Sequence, residues 1–245
     1  MRKLAAAAGL LAACSTMPTI VRSDMRMHSL RVDVSPDLHD RQVVVRKILQ
    51  ATLDVIGQST FGENLDTFGK KLWLTPYGAI TDVAAVKATY FGADPIYQSL
   101  PTTLAPAEGC AAHACTGISS HGTSARTATI HLTDEPITNW LAGTNVGRAC
   151  AINTVAHEIT HTIPAFAAGE KQLYRDWGFS TLKAFRRPLV SYTVGAIAEC
   201  TYLQKELGLD ERDLRACIAR VGTNEFKSNH CGMSDEQFRE EIRLR

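Results

Sequence analysis

Hydrophobic and polar positions sort the chain into short alternating runs and longer helical ones. In His28-Ser-Leu-Arg-Val-Asp-Val34, Leu30, Val32 and Val34 fall on one face, which predicts a half-buried strand closed by Pro36. From Asp37 or Asp40 to about Gly57, Val44, Ile48, Ala51 and Val55 recur at helical spacing behind acidic caps. Lys71-Leu-Trp-Leu-Thr75 predicts a second strand, ended by Pro76-Tyr-Gly78, and a short helix follows from Thr81 to about Tyr90. Residues 91–126 are rich in Gly, Pro, Ala, Ser and Thr and predict a long irregular excursion, of the kind that often carries function. Thr127–Thr133 alternates again, with Ile130 and Leu132 inward and Thr129, His131 and Thr133 outward. It predicts a strand with one polar face, placed at a sheet edge, where an extended peptide could add by main-chain hydrogen bonds.

The next helical pattern carries chemistry. Val146, Ile152, Val155, Ala156, Ile159 and Ile163 predict a helix from about Gly147 to Ile163, stopped by Pro164, which lacks a backbone donor and clashes with the preceding turn. His157 and His161 are four residues apart and so project from one face. Two imidazoles at that spacing can share one zinc ion, and Glu158 can reach a nearby water as general base without being a ligand. From Thr154 to Ile163 the flanks hold no other charge and no proline. A polar triad in such a helix is costly to bury unless paired or metal-bound. That weighs against an ordinary solvated helix face.

A catalytic zinc takes three protein ligands and keeps one position open. Glu199 is the candidate third. It is the one charged residue between Pro188 and Gln204, on a helix predicted from about Thr193 to Leu207, with Gly195 and Ala196 one turn earlier to permit close approach. The competing reading is a buried salt bridge to one of the arginines. Asp176 is a weaker candidate ligand, and His113, His121, His131 and His230 read as ordinary loop or strand residues. For a donor that stabilises a developing oxyanion, Tyr192, Tyr202 and His131 are candidates.

The ends change the picture of where this happens. Arg2 and Lys3, an apolar run from Leu4 to Ala13 and then Cys14 give the layout of a secretory signal, too short to span a bilayer. Leu11-Ala12-Ala13-Cys14 resembles a bacterial lipobox, which implies acylation of Cys14 and a lipid anchor, with Ser15 favouring the outer membrane over the inner. Residues 1–13 are then the signal, 14–26 a tether and 27–245 the catalytic domain. The remaining cysteines, Cys110, Cys115, Cys150, Cys200, Cys217 and Cys231, are even in number. In an exported chain they read as disulfides rather than ligands. The formal net charge is +1 with no basic run, which argues against a nucleic-acid partner. The stretch from Asp210 to Arg245 reads as helical and structural.

Thr154-Val-Ala-His-Glu-Ile-Thr-His-Thr-Ile163 resembles the active-site helix of the zincin metallopeptidases. The resemblance implies an α+β fold of two lobes: an upper lobe of mixed sheet and helices, about 27–163, and a mainly helical lower lobe, about 164–245, with a cleft between. The metzincin extension is missing, because Pro164 and Ala167 stand where its glycine and third histidine belong. The gluzincin pattern is the nearer one, with one zinc on His157, His161 and Glu199 and a peptide or protein substrate. Two other functions fit the same residues: a non-enzymatic envelope lipoprotein on a zincin scaffold, and a zinc amidase acting on cell-wall linkages.

Overall fold

The computed structural model describes residues 32–69, 71–73, 80–91, 100–107, 110, 114–121, 125–167, 170–173, 189–223 and 230–244. The signal-like segment, Cys14 and the tether lie outside them. The first predicted strand forms as β1 (Val32–Val34), followed by a 3₁₀ turn over Pro36–Arg41 capped by the Ser35 side chain, and by α1 (Gln42–Ile56). Val45, Ile48, Leu49, Thr52, Val55 and Ile56 form the buried stripe of α1, at the spacing of one helix face. Next come α2 (Ser59–Phe68), β2 (Lys71–Trp73), β3 (Ile80–Asp82) and α3 (Val83–Phe91), with β2 and β3 paired as a small antiparallel ribbon.

Where it is described, the supposed excursion is largely sheet. It contains β4 (Thr102–Pro106) and β5 (Ala114–His121), which join β6 (Ala125–Leu132) and β1 in a four-stranded mixed sheet of order β1-β4-β6-β5. β4 is parallel to both β1 and β6, while β5 is antiparallel to β6. The expected edge strand is therefore an interior one. β6 is paired on both sides, and β5, made of small residues that hide its pattern, takes the edge.

The mainly helical remainder starts with α4 (Asp134–Leu141) and α5 (Asn145–His161), crosses a β7–β8 hairpin (Pro164–Ala167, Glu170–Leu173), and ends in α6 (Val190–Leu207), α7 (Glu211–Thr223) and α8 (Asp235–Arg243). The chain is thus an α+β protein, with sheet and helices first and helices afterwards. α5 is its axis. Thr144 caps it through a bond from Gly147 N, and Asp235 on α8 accepts from the backbone of Asn145 and Val146. Buried positions run round the whole of α5, from Val146 and Ala149 through Ile152 and Val155 to Ile159. Gly147 is required where α4 crosses, because a Cβ there would lie 2.4 Å from the Asn139 carbonyl oxygen.

Three disulfides form: Cys110–Cys115, Cys150–Cys231 and Cys200–Cys217. All six expected cysteines are used, and this favours an extracytoplasmic location. The Cys150–Cys231 link closes a sequence separation of 81 residues, which on chain entropy restricts the unfolded state by about 4–5 kcal/mol. Among the described residues no helix is long and apolar enough to cross a membrane.

Candidate metal centre

The last two turns of α5 bring His157, Glu158 and His161 together, with one ligand atom of each within 4.8 Å of the others. The two Nε2 atoms are 3.3 Å apart. Two nitrogens bound at about 2.0–2.1 Å to a tetrahedral zinc are about 3.3–3.4 Å from each other, so the pair already has the edge length of such a site. The same distance is long for a hydrogen bond between imidazoles. In donor chemistry and spacing, the pair fits zinc.

Glu158 is buried, and its two carboxylate oxygens face different neighbours. Oε1 lies 4.0 Å from His157 Nε2, while Oε2 accepts a 2.6 Å hydrogen bond from the Thr116 hydroxyl of β5. Sheet alternation explains why Thr116 can do this. It pairs with Ile130 and shares the face of buried Ala114, Ile130 and Leu132, which is the face covered by α5. Tyr192, in the first turn of α6, packs its ring edge-on against His157, with centroids 4.5 Å apart and planes at 82°. That contact restricts the imidazole plane.

Glu199 is not part of this group. α6 runs antiparallel to α5: Tyr192 meets His157, Gly195 meets Asn153, and Glu199 reaches Asn153 and Cys150. Glu199 therefore sits two turns from the histidines, about 10 Å along the axis at about 1.5 Å per residue. Its Oε2 accepts from Asn153 Nδ2 at 2.7 Å and its Oε1 from His230 Nε2 at 2.8 Å, with the carboxylate fully buried. The expected close approach does occur, since a Cβ on Gly195 would lie 2.2 Å from Asn153 Oδ1. It serves a different partner. Burial acts to lower the His230 pKa, but the charge and hydrogen bond of Glu199 outweigh it, so His230 titrates above the ordinary imidazole value.

The other two candidate donors are also elsewhere. His131 pairs with Cys115 on the opposite sheet face from Thr116, its Nδ1 3.0 Å from the Pro106 carbonyl. Tyr202 belongs to the far end of the helix pair, where burial and Glu206 raise its pKa against the opposing bond from Arg148. Asp176, His113 and the wall beyond the hairpin lie outside the described residues. Sequence reasoning missed Thr116, Asn153 and the role of His230. Thr116 lay in a run of small residues without periodicity, and His230, read as an ordinary loop residue, is instead the partner of buried Glu199. No protein-family profile, no curated protein and no solved structure matches this chain.

Proposed function

We propose that the chain is a zinc-dependent hydrolase of zincin type, and more narrowly a metallopeptidase, held at the bacterial cell envelope by a lipid on Cys14. The observation that carries this reading is the 3.3 Å separation of His157 Nε2 and His161 Nε2 beside a buried glutamate. His157 and His161 would hold one zinc ion per chain, which would supply an acidified water and polarise a substrate carbonyl. Glu158 divides its work between two oxygens. Oε2 stays on Thr116, which fixes the carboxylate plane, and Oε1 faces the histidines, free to take the attacking water's proton and return it to the leaving amine. Tyr192 packs on the His157 ring and, of the three candidate donors, is the one beside the histidine pair.

With Glu199 engaged two turns away, the third ligand is sought outside the described residues, and Asp176 is the first position to substitute. The test is the zinc-to-protein ratio of the chain after Cys14, beside His157→Ala, Asp176→Ala and Glu199→Ala, with hydrolysis of casein and of peptidoglycan fragments measured on each. One zinc, lost with His157→Ala, together with casein cleavage, is the expected result. A folded wild-type protein without zinc would overturn the reading, and cleavage of peptidoglycan alone would move the substrate to a cell-wall amide.

A further inference from the structure

At the opposite end of the α5–α6 pair, Cys150, His230 and Cys231 bring their ligand atoms within 4.8 Å of one another, and Glu199 lies against two of the three. His230 Nε2 lies 2.8 Å from Glu199 Oε1, 3.4 Å from Cys150 Sγ and 3.9 Å from Cys231 Sγ, and Cys150 Sγ is 4.0 Å from Glu199 Oε1. The two sulfurs are joined to each other, so neither carries a proton and these are contacts rather than hydrogen bonds. In a tetrahedral zinc site with two thiolates, an imidazole and a carboxylate, donor atoms stand about 3.3–3.8 Å apart. The separations from His230 and Glu199 bracket that range. The sulfur–sulfur bond keeps Cys150 and Cys231 from ligating.

We propose that Cys150, Cys231, His230 and Glu199 form a second zinc site, masked while the disulfide is closed and opened by its reduction. A dithiol reductant supplies two electrons and two protons, becoming a disulfide itself, and leaves Cys150 and Cys231 as thiols. Zinc then displaces both thiol protons to solvent and takes the imidazole lone pair of His230 and Oε1 of Glu199. Asn153 stays on Glu199 Oε2 and fixes the carboxylate from behind, as outer partners of metal ligands do. The four ligands come from α5, α6 and the turn at His230–Gly232 that leads into α8. Zinc would therefore replace the cross-link that ties the C-terminal segment to the central helix pair. This accounts for a fully buried carboxylate and an imidazole directed at a disulfide that needs neither to form.

The site is tested on the chain after Cys14 carrying His157→Ala and His161→Ala, so that the first centre is silent. Cobalt(II) is the probe, because thiolate ligation gives a charge-transfer absorption that nitrogen and oxygen ligands do not. The oxidised protein should show no such band, and after reduction by a phosphine one equivalent of cobalt should produce it, with zinc displacing the cobalt. Adding Cys150→Ser with Cys231→Ser should abolish the band, and Glu199→Gln should weaken cobalt binding by about tenfold or more. Zinc should also raise the melting temperature of the reduced chain, and not that of the double serine variant. An undiminished band in that variant would mean other thiols bind the metal, and the proposal fails. It fails equally if the reduced chain binds no cobalt, or unfolds with and without zinc, since only the folded arrangement holds these donors near one another.

Discussion

The α5–α6 pair carries two polar clusters, two turns apart, that are opposite in kind. At the His157 end, two imidazole nitrogens converge at 3.3 Å beside a carboxylate oxygen 4.0 Å away. At the Glu199 end, the carboxylate has an amide on one oxygen and an imidazole on the other, under a disulfide. A buried polar group with its partners supplied is a packing solution, whereas convergent donors of like character are costly until something binds between them. The same signal in the sequence, a lone charged residue in an uncharged helix, stands behind both. Only the antiparallel register of the two helices tells them apart.

The sharpest way to break this comparison is to remove one carboxylate from each cluster. Glu158→Gln should lower kcat by about 10²–10⁴-fold with zinc content unchanged, measured by casein hydrolysis and metal analysis on the same sample. Retained turnover would remove Glu158 from the role of base. Glu199→Ala should do the converse in the oxidised protein: zinc stays, and stability falls by about 3–5 kcal/mol in urea denaturation, because His230 and Asn153 lose a buried partner. If Glu199→Ala instead sheds zinc from a protein of wild-type stability, the two clusters are one site and the helix register is different in solution.

Much of this architecture was legible because it rests on local rules. The stop of α5 before Pro164, the uncharged runs around His157 and Glu199, and the even set of six cysteines each follow from neighbours in sequence. What escaped depends on partners far along the chain. β5 is an edge strand built on Thr116, Gly117, Ser119 and Ser120, so its place is fixed by pairing with β6 and not by its own pattern. α5 is buried on nearly every side, which erases the one-faced periodicity that would locate its neighbours. The partner of Glu199 is His230, on a short turn after α7, and no spacing rule connects them. A carboxylate's isolation in sequence shows that it needs a partner, and it does not say which.

Thr116 sharpens the comparison from the His157 side. Asn153 holds one oxygen of Glu199 as Thr116 holds one oxygen of Glu158, but only the second bond should be felt in catalysis. A hydrogen bond to a charged group is worth about 1.5–3 kcal/mol, so Thr116→Val should reduce kcat by about 10- to 100-fold while KM and zinc content change little. Thr116→Ser, which keeps the hydroxyl, should restore most of the rate. A Thr116→Val enzyme with normal kcat would leave Glu158 held by packing alone.

The smallest expected effect lies at the other end and depends on pH. The His230 pKa is raised in the folded chain because, although burial opposes its charge and Arg220 adds to that opposition, the Glu199 carboxylate favours it more strongly. A group whose folded pKa exceeds its unfolded value of about 6.5 binds its proton more tightly when folded. Its contribution to stability is therefore complete below about pH 6.5 and disappears as pH rises through the folded value. With the disulfide intact, wild-type urea midpoints should fall across that window, and His230→Gln, which keeps a donor but cannot titrate, should flatten the decline. An equal decline in both proteins would assign the pH dependence to other groups and leave the Glu199–His230 bond a neutral contact. The His157 cluster should not reproduce this slope, because zinc removal by acid there would add a loss of stability at low pH, opposite in sign.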